Sequence, residues 1–374
     1  MKRRFRVSFL LLAGILLLGF GLAGLFNAPG LMQYAFLPSA EEETGMPEKF
    51  EEVLKNNTDA FPRLTLHGQK PGVTLTAGSK SRNDIFLYAA GQMWNEVYPR
   101  QIVNGRPLTG LDAEQGAAVI VIDKDTAFIL FGDDDPVGRT VKIEEEEYEV
   151  VGVAAHSRRI GETGESAAWV PLGTVTGCEL MVLSTPASTT DTFAMFRTRA
   201  EESFGQGTAI SLAKGKTFAL LPLLLVFLVA AVWVLKRWTR WYSAFARTQF
   251  EKVRAESRRR YALGLIPYAV GKLLPVALLA AATVAACYGV AVATISPARV
   301  FPEWIPESLG NFTSWISRFW DLTGAAAKPV SLQTPEQAEI AFYGGLVRWG
   351  TLLVVLAAAK GALSRLWQKK TEES

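Results

Sequence analysis

Four runs of apolar residues, at 7–26, 218–235, 273–295 and 341–363, constrain this chain more than any other feature of it. A helix needs about 20 such residues to cross about 30 Å of hydrocarbon at about 1.5 Å per residue. The first three runs hold no charge, and Lys272 flanks the third. The fourth contains Arg348 and Lys360, which lie towards opposite ends where a long side chain can snorkel to the interface. Residues 1–6 (MKRRFR) look like the charged start of a signal peptide, but the apolar run after them is long for one, so an uncleaved anchor is expected. With 49% hydrophobic residues the composition agrees with a membrane protein.

Charge sets the expected orientation. The chain has 39 Lys and Arg against 36 Asp and Glu, a net charge of +3, which is too small to point to nucleic acid. The basic residues gather at 2–6, 236–260 and 365–370, and the acidic ones at 41–43 and 133–147, with Glu303 and Glu307. Lys and Arg are retained on the cytoplasmic side of a membrane, so the basic clusters place both termini inside. The expected organisation is a first span within 1–26, an extracytoplasmic domain over 27–216, a second span over 217–235 and a basic cytoplasmic region over 236–272. A third span over 273–295, an outer loop over 296–340, a fourth span over 341–363 and a cytoplasmic tail over 364–374 complete it.

The segment 27–216 is long enough for a core of its own and alternates strand and helix signals. A polar helix is expected over 48–56 and a strand over 85–90. The β-branched run Val119-Ile120-Val121-Ile122 reads as a buried strand, after which Asp123 can cap a helix running to Phe131. The GDDDPVG stretch at 132–138 is a turn. Segments 141–143 and 148–153 flank four glutamates and read as a hairpin with a solvated tip. Strands ending at 169–172 and over 180–184, a helix over 189–202 and a strand over 209–212 complete an α+β domain.

Nothing in the chain spells a catalytic centre. His67 and His156 are the only histidines, too few for a zinc enzyme. Glu162 and Glu165 are an acidic pair with no spacing argument behind them. Gly19, Gly21 and Gly24 form a GxGxxG inside the first apolar run, where small residues serve close helix contact rather than a nucleotide. Gly215-Lys216-Thr217 mimics the end of a phosphate-binding loop, but Ile210 stands where the earlier glycine is required. The acidic stretches 133–135 and 144–147 lack the EF-hand pattern and read as solvated turns. No cofactor and no metal is expected, and the two cysteines, Cys178 and Cys287, differ too much in surroundings to pair.

The short motifs of the domain occur in a telling order. Gly105-Arg106-Pro107-Leu108 precedes 118–123, then Leu130-Phe131-Gly132 with Asp135-Pro136-Val137-Gly138-Arg139, then Val150-Val151-Gly152-Val153 and Val170-Pro171-Leu172. This series resembles the periplasmic core domains of the MacB type, and the chain is similar to ABC transporter permeases of the MacB and FtsX class. The resemblance implies a bacterial cytoplasmic (inner) membrane protein that does not hydrolyse ATP itself. Its partner would be a separate ATPase subunit. Four spans per chain also imply a second permease copy or paralogue, and the aromatic residues of 302–320 suit membrane lipid and an envelope or lipidic substrate. The resemblance also implies that the segment joining the second and third spans docks the ATPase, which singles out Arg247, Phe250, Arg254 and Arg258. Arg254-Ala255-Glu256-Ser257-Arg258 and 261–264 stand where such permeases often carry R-x-x-E-I-G-x-x-R-A-x-G.

Two readings of that region stay open on its residues alone. Trp238, Trp241, Tyr242 and Phe245 recur at helical spacing, as in a helix lying at headgroup depth. Arginines on the other faces suit a docking surface equally. The aromatic-rich stretch 302–320 reads as an amphipathic helix on the outer leaflet. The alternative to a transporter subunit is a membrane-anchored extracytoplasmic binding or scaffold protein with no ATPase partner.

Overall fold

The computed structural model describes residues 2–39, 42–43, 45–187, 190–258, 261–300, 311, 313–314, 316–317 and 332–372. The helix expected over 302–320 lies outside these residues, apart from Asn311, Thr313, Ser314, Ile316 and Ser317. The chain divides into two units, one of 19–219 with 328–346 and one of 1–18, 220–327 and 347–374.

Among the described residues the first unit is built on one ten-stranded sheet. Its strands are β1 (Leu31–Phe36), β2 (Thr65–Ala77), β3 (Lys80–Ala90), β4 (Ile102–Gly105), β5 (Val119–Asp123), β6 (Thr140–Ile143), β7 (Glu146–Ala154), β8 (Ser166–Pro171), β9 (Leu180–Pro186) and β10 (Thr208–Ser211). They lie in the order β10-β1-β9-β2-β3-β8-β5-β7-β4. The long strand β2 explains the rest of the topology. Its first part, Thr65 to Gln69, pairs with β9, and Leu75 and Thr76 pair with β6 on the edge that β9 has left. The change of partner falls where the β2–β3 register shifts between Lys70 and Val73. Pro71 there has no N–H to give the ladder, and Gly72 takes a φ of +71°, so the strand bends at that point. Because β6 also pairs with β7, the path β2-β3-β8-β5-β7-β6 closes on itself.

Helices fill in around this frame. Helix α1 (Lys2–Asn27) leads into β1, and α2 (Met46–Asn57) buries Met46, Phe50, Val53 and Asn57, which share one face at helical spacing. Two short helices follow, α3 (Trp94–Val97) and α4 (Gly110–Glu114), the second held by a Thr109–Asp112 capping box. Helix α5 (Lys124–Phe131) packs against β2, β3, β5, β7 and β8, all members of the closed path. Helix α6 (Thr190–Phe204) crosses from β9 to β10, which flank β1 on either side, and packs on β1. Phe204 stacks on Phe36 at 4.9 Å and Phe196 meets Phe61 edge-on at 5.6 Å, so the two halves of the core interlock through aromatic rings.

The local expectations for this unit are found in place. Asp123 caps α5, its Oδ1 accepting from Thr126 N at 2.7 Å, and its Oδ2 also accepts from Ala167 N at 3.0 Å. One buried carboxylate thus secures both a helix start and strand β8. Asp123→Ala is expected to remove about 2–3 kcal/mol of stability, the sum of a lost cap and an orphaned strand amide, read as a lower melting temperature of the full-length protein in detergent. Strands β6 and β7 form the acidic-tipped hairpin, Ile143 facing Glu146. Asp134 and Asp135 are tied to Arg139 and Asn104 in an exposed turn. Cys178 is buried and unpaired, with a thiol pushed up to about 12 by burial and then by Glu43.

The second unit is helical. Helix α7 (Leu212–Ser257) has 46 residues, α8 spans Ala262–Val300 and α9 spans Pro335–Glu372. With α1 they supply the four helices, among the described residues, that are long and apolar enough to cross a membrane. The stretch 236–257, which the sequence suggested as part of a separate region, continues α7 without a break. No Gly or Pro after Pro222 interrupts its hydrogen-bond ladder. Its aromatics pack on α8: Trp238 Nε1 donates to Thr283 Oγ1 at 2.9 Å and Tyr242 Oη to the Val276 carbonyl at 3.2 Å. Trp241 stacks on Phe245 and lies tilted against Trp238. Trp238 and Tyr242 therefore meet a neighbouring helix, while Trp241 stays exposed. In α1, a Cβ at Gly14 would stand 2.9 Å from Val354 of α9, and one at Gly350 2.8 Å from Leu18 N, so paired glycines set the close contact of these helices.

Candidate coupling sites

A cluster of buried polar side chains gathers where α9 begins, within the first unit. Thr334 is the residue before the helix, and Pro335 opens it with a φ already suited to the first turn. Thr334 Oγ1 accepts from Gln337 N at 3.3 Å and donates to Gln33 Oε1 of β1 at 2.7 Å. Gln33 spends both amide hydrogens, on Glu336 Oε2 at 3.1 Å and on Tyr98 Oη at 2.9 Å. Tyr98 lies 2.8 Å from Ser184 Oγ of β9. From the loop between β7 and β8, Arg159 donates Nη1 to Glu336 Oε1 and Nη2 to Glu339 Oε2, each at 3.0 Å. The Glu336 side chain is 3% exposed. Burial works to lower the Arg159 pKa, but Glu336 and Glu339 outweigh it and raise the net value.

A second layer holds that loop. Glu162 accepts from Tyr88 Oη at 2.5 Å and from Arg159 N at 2.8 Å, and its Oε2 lies 3.0 Å from His156 Nε2. On the other side of the imidazole, Arg100 Nη1 is 3.4 Å from His156 Nδ1. A guanidinium only donates, so Nδ1 is assigned as acceptor and Nε2 carries the proton given to Glu162. Burial pulls the Glu162 pKa up, yet the bonds from His156, Tyr88 and the Arg159 amide prevail and hold it at about 2. The Arg100 guanidinium lies 4.3 Å from the centre of the Trp169 ring, with Tyr88 and Trp94 alongside, so aromatic faces take the place of a carboxylate.

The members of this arrangement hold one another in place. The lone pairs of Glu162 are engaged by three donors, and Glu165, the other half of the acidic pair, is an exposed partner of Arg82 at 3.1 Å. Among the described residues no three His, Cys, Asp or Glu side chains converge as a metal site would require. Nothing in the sequence singled out Gln33, Arg100, Arg159, Glu336 or Glu339. One signal was present: Thr334-Pro335-Glu336-Gln337 has the T-x-x-Q pattern of a capping box with Pro at the first helical position, which marks the helix start at 335 rather than 341.

The four residues singled out for docking lie in the helical unit. Arg247, Phe250 and Arg254 are exposed on the last turns of α7, and Arg258 is exposed just past its end. At about 100° per residue, positions 247, 250 and 254 share one face. Phe250, 56% exposed, is a large apolar side chain between arginines on that face.

An α+β domain set between the first and second of the four membrane-length helices among the described residues, and holding a buried ion-pair cluster, defines a multi-pass membrane protein that carries a folded domain. Residues 33–216 match the MacB-like periplasmic core domain. "Macrolide export ATP-binding/permease protein MacB" of Aggregatibacter actinomycetemcomitans is 30% identical over 92 residues, 25% of this chain and 14% of that one. The protein of the same description from Hahella chejuensis is 33% identical over 95 residues, again 25% and 14%. The matched segments thus span about one seventh of these relatives. The crystal structure of the periplasmic region of MacB from Actinobacillus actinomycetemcomitans is similar at a TM-score of 0.38 and 16% identity, over 50% of this chain and 91% of that one. The α+β domain is a MacB-like periplasmic core domain, and the chain around it is similar to ABC transporter permeases of the MacB type.

Proposed function

We propose that this protein is a mechanical transmission subunit of an ABC system in a bacterial cytoplasmic membrane, with both termini and the 236–272 region in the cytoplasm. A separate ATPase subunit docks at Arg247, Phe250, Arg254 and Arg258, and its nucleotide cycle changes the posture of the extracytoplasmic domain for export or envelope remodelling. The observation that carries this reading is the MacB-like core domain inserted between the first and second of four membrane-length helices. The basic clusters support the orientation, since positive segments resist translocation. A second permease copy or paralogue completes the assembly, because an ATPase dimer has two halves to engage.

The experiment is affinity purification of the full-length chain from its native membranes. We expect an ABC ATPase to accompany it, and the double charge reversal Arg254→Glu with Arg258→Glu to reduce its recovery at least tenfold. Absence of any ATPase from the wild-type preparation would leave the membrane-anchored binding or scaffold protein as the better account.

A further inference from the structure

We infer that the last helix, through the Arg159 clasp on Glu336 and Glu339, is the element that carries the core domain when the membrane helices move. This rests on the transmission function proposed above and names the residues that would perform it.

The connections of the domain to its helices differ in kind. Helix α1 passes into β1 through Ala28, Pro29 and Gly30, and β10 passes into α7 with no residue between Ser211 and Leu212. Strands β1 and β10 are neighbours at one end of the strand order, so both covalent links reach the domain at its margin. Among the described residues helix α9 adjoins no strand, and its first turns are bonded at two separated places. One is Gln33 in β1, and the other is the 155–165 loop between β7 and β8, which lie beyond β9, β2 and β3 in the strand order. A displacement of α9 therefore acts on both parts of the sheet.

The chemistry of the contact suits a register lock. A buried ion pair gives little net stability over an apolar contact of the same shape, but it fixes which groups face each other. Arg159 grips two carboxylates three residues apart on α9, which opposes rotation as well as sliding. Gly161, at a φ of +93°, brings the loop so close that a Cβ there would lie 2.8 Å from Ala338 Cβ and 2.9 Å from Pro335 Cα. Three donors on Glu162 keep the loop itself from yielding.

The test uses the full-length protein in native membranes and hydrogen exchange read by mass spectrometry over the peptides 155–165 and 332–342. Without nucleotide, Arg159→Ala should raise exchange in both peptides at least fivefold, while the buried thiol of Cys178 stays unlabelled and shows the domain still folded. Arg159→Lys, which keeps one positive charge facing the two carboxylates, should hold exchange below that of Arg159→Ala. Adding MgATP with vanadate should alter exchange over 155–165 in the wild type, and not in Arg159→Ala membranes that retain their ATPase. Unchanged exchange in Arg159→Ala without nucleotide, or a nucleotide response that survives the substitution, overturns the inference and leaves the transmission function standing. If the wild type itself does not respond to nucleotide, the transmission function fails and the inference fails with it.

Discussion

Glu162→Ala should destabilise the domain by about 4 kcal/mol, because it strands three buried donors at once. Tyr88 Oη, the His156 ring N–H and the Arg159 amide all end on this carboxylate, and its residue is 4% exposed. Each orphaned neutral donor costs about 1–3 kcal/mol when water cannot replace the lost partner. Glu162→Gln keeps an acceptor and offers an amide where a charge was, so it should lose about half as much. Thermal melting of the full-length protein in detergent measures both. Equal melting temperatures for Glu162→Ala and wild type would mean that the loop is held by something other than this network.

The second large effect is an acid limb in stability. His67 lies in β2, fully buried, in edge-to-face contact with Trp94 at 4.7 Å and Tyr98 at 5.3 Å. Gln69 Nε2 is 3.1 Å from its Nε2, which leaves the ring neutral and accepting at that atom. Burial, and then the Arg100 charge, depress its pKa from 6.5 to about 3. A histidine whose folded pKa lies below its unfolded one resists the proton that the unfolded chain accepts. Its contribution is complete above pH 6.5 and drains away as pH falls through that value towards 3, worth about 5 kcal/mol over the whole window. Glu162 adds a second loss at lower pH, from about 4.5 down to about 2, since its folded value is depressed and protonation must break its bonds. The melting temperature should therefore begin to fall just below pH 6.5. His67→Phe should abolish the loss above pH 4.5 and leave below it only the share that belongs to Glu162. A melting curve flat from pH 7 to 5 in the wild type would refute this assignment.

How much of this was legible beforehand depended on how local the cause is. The β5 strand and the Asp123 cap were readable because a β-branched run and a capping aspartate act within a few residues of themselves. The β6–β7 hairpin was readable because four glutamates cannot be buried together and so must be a tip. The double pairing of β2 was not, since Pro71 and Gly72 mark a bend without saying which strand waits beyond it. Gln33 looked like an interruption of the apolar stretch LMQYAF, yet all six residues of β1 are buried and its amide serves a helix 303 residues away. The clasp joins parts of the chain that no periodicity relates, Arg159 in a loop and Glu336 beyond three helices. For α7 the change from apolar to basic composition at Leu235 did not mark the end of a helix, because helix continuity depends on the backbone ladder alone.

The closure of the strand path limits how the domain can meet a partner. An extended peptide joins a sheet by templating on unpaired backbone groups, and among the described residues these lie in short stretches, the outer margins of β4 and β10 over four residues each and the start of β3 before its pairing with β8 begins at Ile85. Any strand added there would be short and weakly held. Recognition by this domain must then rely on side chains projected from its turns and helices, which leaves its specificity open to change by substitution without disturbing the sheet beneath.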